Sequence, residues 1–415
     1  MNRRIAFVCR AATGEALRSA NAIGQLRDVT LLVISEDSDM VRVNDVHDAS
    51  QLIDAAKQLG SLHRIVTAQE TLLAPVAAAN EALGLEAMSS EVVARTLDKS
   101  QLKATLKSAG IKTPRHEVVN TADDARRFAS EAGLPIVLKP LNGSGAVTTF
   151  CITTEDQLTR ILELIKAPVI AETYVNGQEL CFDTVTIANE PQCYSICCYD
   201  PPILDALEDP HCRWRCVMPR DLSAYEDFVA EGTAAVRALQ VGNALTHMEG
   251  FINSAGPAGF VDATLRPAGA RIGPMFGFAF DVDPYRMWAR AVVDGCFDGP
   301  LERKFAVGTI FLRGAGSGSV KTVEGVETVE ATLNGVIVEA RWPKIGVRKS
   351  GTYTGDGFVT VRHPDINVVE NALDFIDRTI RITYSSSQPV ETGWNERIYN
   401  FKELNRPAWD FEVVK

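Results

Sequence analysis

Residues 134–146, Leu-Pro-Ile-Val-Leu-Lys-Pro-Leu-Asn-Gly-Ser-Gly-Ala, constrain this chain more than any other stretch. Residues 135–138 are apolar and β-branched, and they read as a buried strand. The strand ends in Lys139, ahead of a proline and the loop Asn142-Gly143-Ser144-Gly145. A lysine at the end of a buried strand is costly unless an anion meets it. Glycines in the loop let backbone N–H groups approach and close over phosphate oxygens. Residues 147–152 then read as a return strand. One reading is a nucleotide clamped beneath a β-ribbon; the plainer one is an ordinary hairpin with a snorkelling lysine. This stretch alone does not choose between them.

The surroundings narrow the choice. At 415 residues the chain is too long for one small core, and several domains are expected. The formal net charge is −11 and no run of Lys or Arg exceeds a pair, which argues against a nucleic-acid partner. No apolar run reaches the length of a membrane span, and the first residues lack a signal peptide's apolar core, so a cytoplasmic location is expected. Nine cysteines, mostly in apolar strand-like runs, suit reduced, buried thiols. Cys212 and Cys216 are spaced loosely enough for zinc, but no second pair with histidine follows.

Strands and helices alternate from residue 4 to residue 83, as in a small parallel α/β layer. Residues 9–15 lack the glycine fingerprint of a dinucleotide site, which excludes a nicotinamide enzyme there. Residues 91–109 read as one or two helices around Asp98-Lys99. Residues 121–133 read as a helix capped by Thr121, with Asp123 and Asp124 in its first turn. Residues 168–175 read as a strand containing Glu172, Tyr174 and Val175, and residues 178–188 and 192–199 as two more. Residues 200–221 show no clear period and are expected to be a long surface loop. Arg213, Trp214, Arg215 and Arg220 there either contact substrate or form a solvated edge around a packed Trp. Gly314 to Gly318 lacks the Gly-Lys-Ser/Thr of a phosphate loop and reads as a turn.

Residues 245–253 and 259–266 make a hairpin. Side chains alternate along strands, so His247 and Glu249 share one face, as do Asp262, Thr264 and Arg266. If the turn lies near residues 255–256, Glu249 faces Asp262, with Cβ atoms about 5 Å apart. Unpaired, two such carboxylates repel and raise each other's pKa. A Mg²⁺ between them removes the conflict, and Arg266 beyond them offers a fork for phosphate or a developing oxyanion. The alternative is two independent surface carboxylates. With a phosphate loop upstream, the metal reading is preferred.

These motifs together resemble the ATP-grasp carboxylate–amine ligases: Asp98-Lys99, the 134–140 strand with Gly143-Ser144-Gly145, Glu172-Thr-Tyr-Val-Asn-Gly-Gln-Glu179, His247-Met-Glu249, and Asp262-Ala-Thr-Leu-Arg266-Pro-Ala-Gly269. The H-x-E strand, the Arg four residues after the second metal acid and the β-rich C-terminal part are most similar to the dipeptide-forming L-amino acid ligases. The resemblance implies an α/β and α+β multidomain protein of ATP-grasp fold. It divides the chain into a Rossmann-like α/β domain (1–90), a central subdomain with the phosphate loop (91–172), a subdomain with the Mg²⁺ site (173–300) and a β-rich C-terminal subdomain (301–415).

It also implies roles. Lys99 and Lys139 hold the α- and β-phosphates of ATP, and Gly143, Ser144 and Gly145 cover the triphosphate. Glu172, Tyr174 and Val175 meet the adenine edge, and Glu179 the ribose. Glu249 and Asp262 bind Mg²⁺, with Mn²⁺ as an alternative ion. Arg266 and Gly269 border the acyl phosphate, and Arg213 and Arg215 are candidate substrate contacts. His247 either touches phosphate or substrate or is a packed, hydrogen-bonded histidine. The family usually has Glu where this chain has Asp262, and often Asn where it has Thr264, which leaves the number of metal ions open. The implied reaction joins a small-molecule carboxylate to an amine, with amino acids as the expected pair and a homodimer as the family expectation. The competing readings are a ligase for another metabolite pair, such as a purine precursor, and a non-catalytic nucleotide-binding protein on the same frame. Which acid and which amine are joined is not written in the sequence.

Overall fold

The first 35 residues contribute β1 (Arg3–Val8) and β2 (Val29–Ser35), joined by the helix Gly14–Gly24; β3 (Val41–Arg42) and β4 (Arg64–Val66) complete a parallel sheet of order β3-β2-β1-β4. The computed structural model describes residues 2–143, 149–163, 168–209 and 211–386. The first sheet docks on a later segment. Phe7 meets Trp288 edge-on at 6.1 Å, and Arg3 pairs with Asp294 at 2.6 Å.

The stretch read as one or two helices is two, Ser90–Leu97 and Lys99–Ser108. Asp98 ends the first and caps the second, its carboxylate accepting from the N–H groups of Ser100 and Gln101. That fixes Lys99 at the first helical position. β5 (His116–Val119), β6 (Ile136–Pro140), β7 (Phe150–Ile152) and β8 (Val169–Thr173) form an antiparallel sheet of order β5-β8-β6-β7. The helix Ala122–Ala132 covers it. Thr121 and Asp124 close a reciprocal capping box, and Phe128 is fully buried among Ile136, Leu138, Phe150 and Ile161. On β6 the alternation is clean. Ile136 and Leu138 enter this core, while Val137 and Lys139 line the cleft on the other side.

The remaining strands are β9 (Gln178–Ile187), β10 (Glu190–Asp200), β11 (Arg215–Met218), β12 (Ala244–Asn253), β13 (Gly256–Thr264), β14 (Ala306–Leu312), β15 (Ser317–Glu324), β16 (Ile337–Arg341), β17 (Gly357–His363) and β18 (Arg381–Ser386). Eight of them make one antiparallel sheet, β13-β12-β9-β10-β11-β14-β17-β16, and β15 pairs with β18. Residue 172, where one domain was expected to end, lies inside β8. The sheet also runs on across residue 300, because β14 bonds to β11.

One expectation is corrected and one element is new. Residues 200–221 are not a structureless surface loop: they hold the helix Ile203–Glu208 and β11, an interior strand of the large sheet. Trp214, Cys216 and Met218 are fully buried, so the alternation in Arg-Trp-Arg-Cys-Val-Met is that of a strand. The helix Ile272–Phe280 was also unforeseen. It starts after two non-glycine residues in the left-handed region, Ala270 and Arg271, a start that helix-capping patterns do not signal.

The packing around β6 carries a stability prediction. Phe128→Ala is expected to cost about 3–5 kcal/mol, a large-to-small core change, and Thr121→Ala about 1 kcal/mol, a lost cap. Urea unfolding of the two variants reads both. Equal and small losses would show that the four-stranded unit is not packed around Phe128.

Candidate functional site

The β5-β8-β6-β7 sheet and the eight-stranded sheet meet at a cleft of about 1300 Å³, counted out to its open mouth, with Glu70 of the first domain at its edge. Its charged floor is built from one helix and three strands, β6, β8 and β13. Lys99, at the start of its helix, donates to the carbonyl of Gly143 at 2.9 Å and lies 3.2 Å from Asp262 Oδ2. One turn on, Lys103 Nζ lies 3.1 Å from Glu172 Oε1 and donates to the carbonyl of Val261 at 3.1 Å. Lys139, from β6, lies 3.0 Å from Glu172 Oε2 and donates to the same Val261 carbonyl at 3.2 Å. Two ammonium groups therefore share one carboxylate and one carbonyl in a closed ring. Burial pushes the Lys103 ammonium down to about 8 despite the pull of Glu172, with Lys139 adding to the lowering. Burial alone would raise the carboxyls of Glu172 and Asp262, but the lysines more than offset it and hold both below the usual range.

Glu172 was expected at an adenine edge. It lines the cleft beside Tyr174 and Val175, with both of its oxygens engaged by Lys103 and Lys139. Tyr174, Val175 and Glu179 line the same cleft with Ile203, Leu204 and Phe251. Glu179 accepts from the N–H of Ile203 at 2.6 Å. Burial, and then the neighbouring Glu249, push its carboxyl up to about 8.

Across the cleft, Glu249 on β12 stands directly opposite Asp262 on β13, as the hairpin reading expects. The route to that register differs. The strands run to Asn253 and from Gly256, a tighter tip than foreseen, and register shifts after Glu249 and after Phe251 make up the difference. Glu249 Oε1 accepts from the Tyr199 hydroxyl at 3.2 Å and lies 3.4 Å from His247 Nε2. Thr264, on the Asp262 face, has a buried hydroxyl with no hydrogen-bond partner. Two carboxylates and an orphaned hydroxyl form a hard-oxygen donor set, and this fits Mg²⁺.

His247 is both packed and cleft-facing. Its Nδ1 donates to Asp183 Oδ1 at 2.8 Å. Burial by itself would lower the imidazole pKa, but Asp183 raises it well above the ordinary value. Arg266 lines the cleft beside Gly269, yet its guanidinium is not free. Nε and Nη2 donate to Glu70 Oε2 at 3.0 and 2.6 Å, and Nη1 to the Pro267 carbonyl.

Arg213 and Arg215 are corrected as substrate contacts. They flank Trp214 on the opposite face of the strand. Arg213 donates to the carbonyls of Arg313, Asp377 and Ile380, while Arg215 pairs with Asp200 and Asp374. Ser144 and Gly145 lie outside the described residues. Cys212 and Cys216 belong to no metal-capable group among those residues. Lys103, Asp183, Glu70 and Tyr199 were not foreseen. Lys103 had a signal, since it stands four residues after Lys99 on one helix. The others reach the site by strand register or from another domain, which no local pattern reports.

Residues 96–188 match the family model of the RimK-like ATP-grasp domain. The chain is 32% identical over 143 residues to an alanine–anticapsin ligase of Bacillus subtilis (strain 168), covering 31% of this chain and 30% of that protein. It is 34% identical over 110 residues to a D-alanine–D-alanine ligase of Azoarcus sp. (strain BH72), covering 25% of this chain and 36% of that one. The matched piece is thus about a third of each curated relative. Among solved structures, an L-amino acid ligase from Bacillus licheniformis superposes with a TM-score of 0.75 at 18% identity, over 93% of this chain and 99% of that one. An N5-carboxyaminoimidazole ribonucleotide synthetase from Thermotoga maritima gives 0.68 at 18% identity, over 92% and 100%. Residues 96–188 thus match an ATP-grasp domain, and the chain has the multidomain fold of these solved structures. No helix among the described residues is long and apolar enough to cross a membrane.

Two predictions come from this geometry. Lys103→Met removes one of two partners from both Glu172 and Val261, and Lys139 is drawn back into the gap. ATP affinity is expected to fall at least tenfold, and a Lys139→Ala/Lys103→Met pair should be less than additive. Additive losses in calorimetric binding would separate the two lysines. The second concerns pH. The folded state binds the Glu179 proton more tightly than the unfolded chain, where a Glu titrates near about 4.3. Its contribution to stability is therefore complete below that pH and lost as pH rises through about 8. Without nucleotide or Mg²⁺, the melting temperature should fall between pH 5 and pH 8, and Glu179→Gln should flatten that fall. Identical slopes would assign the loss to another group.

Proposed function

We propose that this protein is an ADP-forming, ATP-dependent carboxylate–amine ligase that joins two amino acids into a dipeptide or dipeptide-like product. The observation that carries this reading is the facing pair Glu249 and Asp262, set against Lys99 and Lys139 in one cleft. Cations and carboxylates so arranged bind and neutralise a polyphosphate, and there is little covalent work for the protein beyond positioning. Support for an amino-acid substrate comes from the relatives' names, an alanine–anticapsin ligase and an L-amino acid ligase.

In this reading Lys99 and Lys139 orient the phosphates and withdraw charge from them. Glu249, Asp262 and the Thr264 hydroxyl hold Mg²⁺, which supplies Lewis-acid stabilisation of phosphoryl oxygens when bound. Glu179 faces the ribose, and Tyr174 and Val175 flank the adenine. Arg266 exchanges Glu70 for the substrate carboxylate or the acyl phosphate made from it. The amine of the second substrate then attacks that acyl carbon, and phosphate leaves. The cleft wall excludes water from the reactive intermediate. Homodimer formation and Mn²⁺ in place of Mg²⁺ belong to the same proposal.

The test is a screen of amino-acid pairs for ADP release, with hydroxylamine present to intercept an acyl phosphate as the hydroxamate. ADP and hydroxamate in equal amounts are expected. Asp262→Asn or Glu249→Gln should nearly abolish turnover with the melting temperature retained. Lys139→Ala should slow turnover by roughly 10²-fold, the scale for one preorganised charge. AMP as the nucleotide product, or full activity of both carboxamide variants, would overturn the reading.

A further inference from the structure

The sheet face that carries Glu249 and Asp262 also carries a second set of donors, which the ligase reading leaves unused. Strand register lays two rows of four residues across β10, β9, β12 and β13. One row is Ser195, Asp183, His247 and Thr264; the next is Cys197, Cys181, Glu249 and Asp262. Directly opposed residues in an antiparallel ladder project to the same side, so a thiol-bearing cluster lies beside the carboxylate pair. Cys181 Sγ lies 2.9 Å from Asp183 Oδ2, and His247 Nδ1 lies 2.8 Å from Asp183 Oδ1. One ligand atom from each of the three falls within 4.8 Å of the other two.

All three residues are buried, and so is Ser195, opposite Asp183, whose hydroxyl has no hydrogen-bond partner. A buried, unpartnered hydroxyl is costly, and it stands beside the one cluster among the described residues that mixes sulfur, nitrogen and oxygen donors. The cluster is reachable from two sides. His247 borders the main cleft, and Asp183 borders a smaller cavity with Arg266, Pro267 and Ile272.

We propose that Cys181, Asp183 and His247 form a site for a soft divalent cation of the zinc class, separate from the hard-oxygen pair Glu249 and Asp262. Thiolate and imidazole select zinc over magnesium, which keeps to oxygen donors. Zinc–ligand lengths of about 2.0–2.3 Å put tetrahedral donors about 3.5 Å apart, the same scale as the spacing here. The Cys181 thiol proton and one imidazolium proton of His247 leave to solvent as the metal enters, so that sulfur binds as thiolate and His247 as neutral imidazole. The fourth position goes to a water that the Ser195 hydroxyl holds.

The full-length chain, stripped of metal, is dialysed against Zn²⁺ in the presence of excess Mg²⁺, and in parallel against Co²⁺ as a spectroscopic probe. One equivalent of zinc is expected to be retained, and cobalt should show thiolate-to-metal charge-transfer absorption in the near ultraviolet. Cys181→Ala should remove that absorption and weaken zinc binding at least about 100-fold, with basal ADP formation in Mg²⁺ retained. Cys181→Ser, which keeps the volume, should lose the absorption equally and guards against misfolding of the first variant. Asp262→Asn should leave the absorption in place. Absorption that survives loss of Cys181, zinc released by Mg²⁺, or zinc lost with Asp262→Asn would each overturn the assignment.

Discussion

Glu172 is held between Lys103 and Lys139, and the Val261 carbonyl between the same two ammonium groups. With Lys99 on Asp262, three buried lysines meet two carboxylates at the junction of a helix and two sheets. Charges taken out of water contribute little net stability, but breaking one such pair typically costs about 3–5 kcal/mol. The group therefore locks the helix Lys99–Ser108, β6, β8 and β13 into one relative placement. It also leaves the cleft floor with an excess of positive charge, which is what an incoming polyphosphate requires.

The large sheet acts as a ruler for the opposite wall. Each functional side chain there sits where cross-strand register puts it: Glu249 against Asp262, His247 against Asp183, Cys181 against Cys197. Register shifts beyond Glu249 absorb the tight hairpin tip without moving the carboxylates out of line. The first domain adds Glu70, which occupies the fork of Arg266. The guanidinium thus already carries a carboxylate, which a substrate acid would have to displace under the proposed function. Trp214 closes the deep end, stacked on Phe311 at 5.3 Å and edge-on to Tyr199 and Tyr353.

Much of this was legible along the chain, and for local reasons. The Thr121 cap, the apolar strand ending in Lys139 and the period-two alternation of His247 and Glu249 are short-range patterns. The failures are local too. Arg213-Trp-Arg-Cys216 alternates as a strand does, but its charges outweighed a four-residue period. Arg213 and Arg215 were then placed in the cleft, although alternation sends them away from Trp214.

By itself, then, the sequence determined the ATP-grasp motif order, the strand that presents Lys139 and the facing of Glu249 and Asp262. Each depends on residues within one hairpin or one strand–loop unit, where spacing and periodicity fix geometry. Tertiary structure alone decided that Lys103 and Lys139 share Glu172, that Glu70 holds Arg266 and that Asp183 orients His247. Those partners are 33 to 196 residues apart, or cross between strands whose neighbours are set by sheet order. Burial then decides which charges must pair, because an ion removed from water takes whatever counter-charge the fold brings within reach.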